Sequence, residues 1–337
     1  IDAWSGALAP EGSAPNFEIR VEPELDLDYA LASLSQELTM RAIEERRGQM
    51  WMLHAAGLAD EDGRVVVLVG PSGRGKTTAS THLGRVFGYV SDETVAIQSD
   101  GTVLPYRKPL SIISGGENKE QRSPDQLGLR PLPAAPLRVA AIAILDRDPD
   151  GPEKPTAERV PLSQMIGELV AQSSYLAEMS APLQDIAAIS RSVGGFLRVR
   201  CRESRDLAPL IRDLLEGAPE EVEIRDARTT TPAVVKGPYR RAPYLDAVED
   251  EAGALAILGL GAVETAAPSG GELVVLGGIG PALWRAADGV GLDALEKAVR
   301  DAHGEPPQGD ITELVASAVA DLHERGVLVS RDVPIVR

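Results

Sequence analysis

The run Gly70-Pro71-Ser72-Gly73-Arg74-Gly75-Lys76-Thr77 directly follows the apolar stretch Val65–Val69, and it constrains this chain more than any other segment. It fits the pattern G-x-x-x-x-G-K-[ST] in the order that pattern requires, which is strand, glycine loop, helix. Val65–Val69 reads as the strand and Thr77–Phe87 as the helix. Glycines let successive backbone N–H groups turn inward around phosphate oxygens. Lys76 then brings a point charge to the distal phosphates, Thr77 offers a hydroxyl to Mg²⁺, and the helix N-terminus adds a partial positive charge. The expected nucleotide-binding residues are Gly70, Pro71, Ser72, Gly73, Arg74, Gly75, Lys76, Thr77 and Thr78. The fold class this order implies is α/β.

Composition narrows the partners. With 337 residues, the chain suits two domains rather than one. Only 4% of it is aromatic, so its cores must rest on Leu, Val, Ile and Ala. A net charge of −17 opposes binding to nucleic acid or to an anionic membrane. Cys201 is the single cysteine, which rules out an intramolecular disulfide and fits a reducing, cytoplasmic location. No apolar stretch approaches the ~20 residues of a spanning helix. Ile1–Asn16 has neither the basic nor the apolar region of a signal peptide.

Periodicity gives a coarse map. Phe17–Val21 reads as a short strand, and Tyr29–Arg47 as a helix with Leu31, Leu34, Leu38, Ala42 and Ile43 on its apolar face. Met50–Leu58 reads as a strand turning through Glu61-Asp62-Gly63 into the glycine-loop strand. Gly88–Ile97 reads as one further strand, with Asp100-Gly101 leading into Val103–Tyr106. Ser114–Pro136 is irregular, and Val139–Leu145 is a buried strand. Helices over Ser163–Ala177 and Leu183–Ser190, a strand over Gly195–Cys201 and a helix over Arg205–Leu215 complete the first domain, residues 1–217. Residues 218–238 read as a linker. Beyond it, three short strands (Tyr244–Val248, Ala254–Leu258, Leu273–Leu276) precede helices over Ile279–Ala287, Leu292–Ala302 and Ile311–Arg325, with a last strand at Val327–Val329.

A glycine loop serves ATPases, GTPases and kinases alike, so other residues must name the reaction. Asp92 and Glu93 end a strand some way after Lys76. A carboxylate there can hold Mg²⁺ or take a proton from an attacking hydroxyl. Adjacent strand residues face opposite ways, so both reach one centre only at a bend. His54 lies on the preceding strand, where an imidazole can orient an acid or a substrate hydroxyl; a structural role is equally open. Arg107 and Lys108 are candidate phosphate contacts, against the alternative of a solvated basic pair.

These segments resemble a known group. His54-Ala55-Ala56-Gly57, Gly70–Thr78, Gly88-Tyr89-Val90-Ser91-Asp92-Glu93, Leu104–Leu110 and Ala140–Arg147 are together similar to the HPr kinase-like P-loop kinases over about residues 20–215. That resemblance implies phosphoryl transfer from a nucleotide, ATP with Mg²⁺, to a Ser hydroxyl. It implies Lys76 and Thr77 on phosphates and metal, Asp92 on metal, Asp92 or Glu93 as base, and His54 near the catalytic centre. The group usually carries Asp-Asp where this chain has Asp92-Glu93, which leaves the base open between them. The C-terminal signature of true HPr kinases is not recognised here, so the protein HPr is not the implied acceptor.

The last third has a resemblance of its own. Tyr239–Arg241, the short strands, Gly277–Trp284 and Arg325–Leu328 look like a PqqD-like domain over residues 239–330. Members are small α+β winged-helix modules, many of which bind the leader of a ribosomally made peptide. From Arg241 to Ser330 there are five basic and fifteen acidic residues, a net −10, which excludes DNA as its partner. Trp284 reads as a core anchor.

The expected function is therefore a kinase for a Ser or Thr of a peptide or protein, its substrate brought by the second domain. The alternative is a nucleotide-binding adaptor that docks a peptide or enzyme without phosphorylating it. A third option, a small-molecule kinase, draws no support from the C-terminal half. A nucleoside triphosphate and a precursor leader peptide are the expected partners, with oligomerisation left open.

Overall fold

Leu27–Glu45 forms the first long helix (α1), capped by Asp26, whose Oδ1 accepts from the N–H groups of Asp28 and Tyr29. The computed structural model describes residues 3–4, 12–14, 17–20, 26–71, 73–112, 119–229, 237–260 and 272–330. They divide into two units, Ile1–Met179 with Ala188–Val222, and Ser180–Ala187 with Glu223–Arg337. After α1 the first unit runs through Trp51–Ala59 (β1), Arg64–Val69 (β2), Lys76–Leu83 (α2), Gly88–Ser91 (β3), Thr94–Ile97 (β4) and Val103–Leu104 (β5). Leu110–Ile112 (β6), Glu120–Arg122 (β7), Arg138–Arg147 (β8), Thr156–Val160 (β9), Leu162–Ala171 (α3) and Ser173–Ser174 (β10) follow. Pro182–Val193 (α4), Phe196–Cys201 (β11) and Ala208–Glu216 (α5) complete it, α4 beginning among residues of the second unit.

The protein is mixed α/β. Its central sheet has the order β5-β4-β1-β2-β8-β11-β9, with β3 and β10 also on β1. β2, β8 and β11 are parallel, while β1 and β9 run antiparallel to their neighbours. Strands buried on both faces read as continuous apolar runs, which is why Val65–Val69 and Val139–Leu145, the latter sealed over residues 141–145, were legible as such. Ala79 and Leu83 of α2 and Ile211 and Leu215 of α5 pack on the β1-β2-β8-β11 face.

β1 belongs to two ladders. Its residues Trp51–His54 pair with β4, whereas Gly57–Ala59 pair with β3 across a register shift. The single strand expected over Gly88–Ile97 is accordingly two strands broken at Asp92-Glu93. Ser91 Oγ causes the break locally: it accepts from the N–H groups of Glu93 and Thr94, both at 3.2 Å, and so competes with the ladder.

Other expectations are corrected. Phe17–Arg20 is not strand, since among the described residues nothing pairs with it, and Val21 lies outside the described residues. α1 buries Ala30, Ser35 and Thr39 rather than its leucine stripe. Thr39 Oγ1 donates to Ser35 O at 2.8 Å and lies 3.0 Å from Tyr106 Oη, so this contact is polar and close. α3 stops at Ala171, where β10 pairs with β1 instead. Among residues 218–238, Val222 and Ile224 are buried and Arg225–Asp226 (β12) is strand, while 230–236 lie outside the described residues.

The second unit continues with Tyr239–Arg241 (β13), Tyr244–Glu249 (β14), Leu255–Gly259 (β15), Leu273–Leu276 (β16), Gly280–Ala286 (α6), Asp288–Val290 (β17), Leu292–His303 (α7), Ile311–Glu324 (α8) and Leu328–Ser330 (β18). One sheet has the order β12-β14-β15-β16, the other β17-β13-β18. Trp284 is sealed in the core, edge-on to Tyr244 at 5.1 Å, with the Arg241 guanidinium 5.3 Å over its ring. Arg241 Nη1 also donates to Trp284 O and Arg285 O, ending α6. Among the described residues no helix is long and apolar enough to cross a membrane.

Candidate functional site

The glycine loop leaves the C-terminal end of β2 and enters α2 through two left-handed glycines. Gly73 has φ +86° and Gly75, the residue before the helix, φ +91°. A side chain at either would be strained, and a Cβ on Gly75 would meet Ser204 Oγ at 3.2 Å. The helix therefore starts at Lys76, one residue earlier than periodicity predicts, with Ala79 N donating to Gly75 O at 2.8 Å.

Beside this loop lies a cavity of about 550 Å³, lined by His54, Gly73, Gly75, Lys76, Thr77, Thr78, Asp92, Glu93 and Lys108, with Thr81, His82, Ser111, Ile112 and Lys119 also on its wall. Five elements or their ends supply these groups, and four of the sequence-derived motifs converge there. The break between β3 and β4 is what brings both adjacent carboxylates to one space. A larger cavity, about 870 Å³, lies at the other end of β2 against Arg64 and holds none of these residues.

Lys76 is almost fully buried, and its Nζ donates to Gly70 O and to Pro71 O, the latter at 3.1 Å. Burial brings its pKa down to about 8, against the opposing charges of Asp92 and Glu93. Burial, then the Lys76 charge, also lowers His54, so the imidazole is neutral at pH 7 despite Glu93 and Asp92. The His54 backbone N–H is bonded to Gln172 O at 2.8 Å, which fixes the position of the ring's own residue in the sheet.

Asp92 is 5% exposed and needs partners at such depth. Tyr89 Oη donates to its Oδ1 at 2.9 Å, and Lys108 Nζ stands 3.2 Å from the same oxygen. Lys108 Nζ is also 3.0 Å from Glu93 Oε2 and donates to Pro109 O at 2.9 Å. Burial pulls the Lys108 pKa down, but Asp92 and Glu93 together outweigh it and leave it above the ordinary lysine value.

The candidate phosphate contacts thus come out differently. Arg107 is not on the cavity wall: Nη1 donates to Tyr89 O and Arg130 O, and its guanidinium lies 5.6 Å from the Tyr89 ring centroid. Lys108 reaches the cavity but directs its ammonium to the acid pair. Arg74 turns toward Asp146, 4.0 Å away, and Ser72 lies outside the described residues. The sequence reading gives no role to Tyr89 or His82. His82 follows Thr78 by four residues on α2, a spacing that puts both on one face and was readable. Nothing in the sequence flags Tyr89, because its role depends on the bend after Ser91.

No family model and no curated protein matches the chain, so the chemical meaning of this cavity rests on its own residues. Those residues fit a nucleotide with Mg²⁺. Among the described residues no three His, Cys, Asp or Glu converge on a metal site of their own. A hydroxyl and one or two carboxylates are the protein share when phosphates and water complete the shell of Mg²⁺. Thr77 and Asp92 offer that donor set beside the glycine loop.

Proposed function

We propose that this chain is a nucleotide-dependent kinase that phosphorylates a Ser or Thr hydroxyl of a peptide or protein. Its first unit would be an HPr kinase-like P-loop domain, its second a PqqD-like winged-helix domain that recruits a ribosomal peptide precursor by its leader. The observation carrying this reading is the convergence of Lys76, Thr77, Asp92, Glu93 and His54 on one cavity beside a left-handed glycine loop.

Gly73, Gly75 and Lys76 hold the phosphates through backbone N–H groups and one ammonium. Mg²⁺, held by Thr77 and Asp92 when bound with ATP, supplies charge neutralisation on those phosphates. Transfer breaks the bond from the terminal phosphorus to its bridging oxygen and forms one to the acceptor oxygen. The acceptor proton passes to Asp92 or Glu93, and neutral His54 can orient the hydroxyl by a hydrogen bond.

In the second unit, three successive antiparallel strands followed by three helices support the PqqD-like assignment. Among the described residues β16 pairs on one side alone, so an extended leader can add as a further strand. Tethering by such a weak site raises the local acceptor concentration to about the mM range.

The test is the intact mass of the precursor peptide encoded beside this gene, after incubation with the full chain and Mg-ATP. A gain of one phosphate that is lost with Lys76→Ala, and slowed when the leader is removed, is the expected result. The alternative is a nucleotide-binding adaptor that docks the peptide or a partner enzyme without phosphorylating it. A peptide that binds the chain yet keeps its mass would decide for the adaptor.

A further inference from the structure

Lys108 is a cation of the cavity whose donors are all spent on protein among the described residues. Its ammonium has three N–H groups, and three oxygens stand around it: Asp92 Oδ1 at 3.2 Å, Glu93 Oε2 at 3.0 Å and Pro109 O at 2.9 Å. The side chain is 1% exposed, so no water competes for it. Tyr89 Oη ties the arrangement together, donating to Asp92 Oδ1 and lying 3.4 Å from Lys108 O. Each carboxylate thereby has one oxygen turned to the ammonium, while among the described residues Asp92 Oδ2 and Glu93 Oε1 accept no bond.

We propose that Lys108 is the positioning residue of the acid pair, a fixed counter-ion that decides which carboxylate oxygens face the cavity and keeps divalent-cation affinity low until a nucleotide brings its own charge. Asp92 and Glu93 bring two negative charges to the cavity wall, and Lys76, Lys108 and Lys119 on the same wall offset them. A divalent cation entering alone would meet a site with no excess of negative charge and with an ammonium already between the ligands. Four phosphate charges tip that balance, so metal and nucleotide enter together. A surface basic residue would have no such effect, because solvent would screen it.

This inference rests on the phosphoryl-transfer reading for its purpose, but its test does not. Binding of Mn²⁺ to the nucleotide-free full chain is measured by electron paramagnetic resonance for the wild type, Lys108→Met and Lys108→Arg, with circular dichroism and melting curves as checks on the fold. Methionine keeps the volume and removes the charge; arginine keeps the charge. The wild type and Lys108→Arg are expected to bind Mn²⁺ only weakly, in the mM range, and Lys108→Met on the order of tenfold tighter or more. Unchanged or weaker binding by a folded Lys108→Met would overturn the proposal. So would micromolar Mn²⁺ binding by the wild type without nucleotide, a result that needs no variant to fold. Failure of the peptide to gain phosphate would sink the kinase and leave these titrations as they stand.

Discussion

Tyr89 Oη and Asp92 Oδ1 form a 2.9 Å hydrogen bond sealed from solvent at the bend that joins two strands. Burial, then the Asp92 charge, pushes the phenol pKa well above its ordinary value, so Oη stays a donor through the working pH range. Tyr89→Phe deletes that donor and little else. A loss of about 1–3 kcal/mol in urea unfolding is expected, with nucleotide affinity held and the transfer rate reduced. Equal stability for the two proteins would mean that Lys108 alone holds Asp92.

The two left-handed glycines separate backbone strain from crowding. Gly73 at φ +86° has open space where a Cβ would stand, while Gly75 at φ +91° has Ser204 Oγ at 3.2 Å. Gly73→Ala is expected to cost about 1–2 kcal/mol, the left-handed penalty alone. Gly75→Ala should cost more and should weaken nucleotide binding further, because Lys76 follows it directly at the helix start. Isothermal titration with nucleotide and thermal melting read both effects. Equal losses for the two variants would assign everything to backbone strain.

Asp246 does for α4 what Asp26 does for α1, from another strand. Its Oδ2 accepts from Leu183 N at 2.8 Å and Gln184 N at 3.0 Å, and its Oδ1 from Gln184 Nε2 at 3.1 Å. The side chain is fully buried. Asp246→Ala leaves the first N–H groups of α4 without an acceptor, which is expected to cost about 1–3 kcal/mol. Its neighbour Asp185, raised by burial and then by the Asp246 charge, should return toward the ordinary carboxylate range in that variant, readable by carbon NMR titration.

How far the sequence could be read follows from what each signal depends on. The glycine loop, its strand and the acid pair were legible because their chemistry is local: a φ above zero needs glycine, and a doubly buried strand needs an apolar run. The break after Ser91 was not legible, since a hydroxyl taking two backbone N–H groups looks like any serine in a strand. Without that break, Asp92 and Glu93 face apart; with it, they share a cavity. The setting of Lys108 was not legible for a related reason. A basic residue beside Arg107 gives no sign of whether it meets solvent, phosphate or a carboxylate folded in from β3. The leucine stripe of α1 marked the helix but not its most buried positions, because Thr39 answers to Tyr106, a partner 67 positions away.

Lys76 links pH to both affinity and stability, with opposite signs. Its pKa of about 8 lies below the ordinary 10.5 because burial disfavours the charge. Phosphate binding needs the ammonium, so nucleotide affinity should hold through pH 7 and fall by about tenfold per pH unit above 8. An ordinary lysine would hold its affinity past pH 10. Stability runs the other way. Between pH 8 and 10.5 the unfolded chain binds the proton at this site and the folded chain has released it, so the contribution of Lys76 to stability rises with pH across that window. Lys76→Arg keeps its charge throughout and should flatten the first curve. Fluorescent-nucleotide titrations at pH 7, 8, 9 and 10, set beside melting curves at the same points, read both. Wild-type affinity that stays flat to pH 10 would remove Lys76 from the phosphate site.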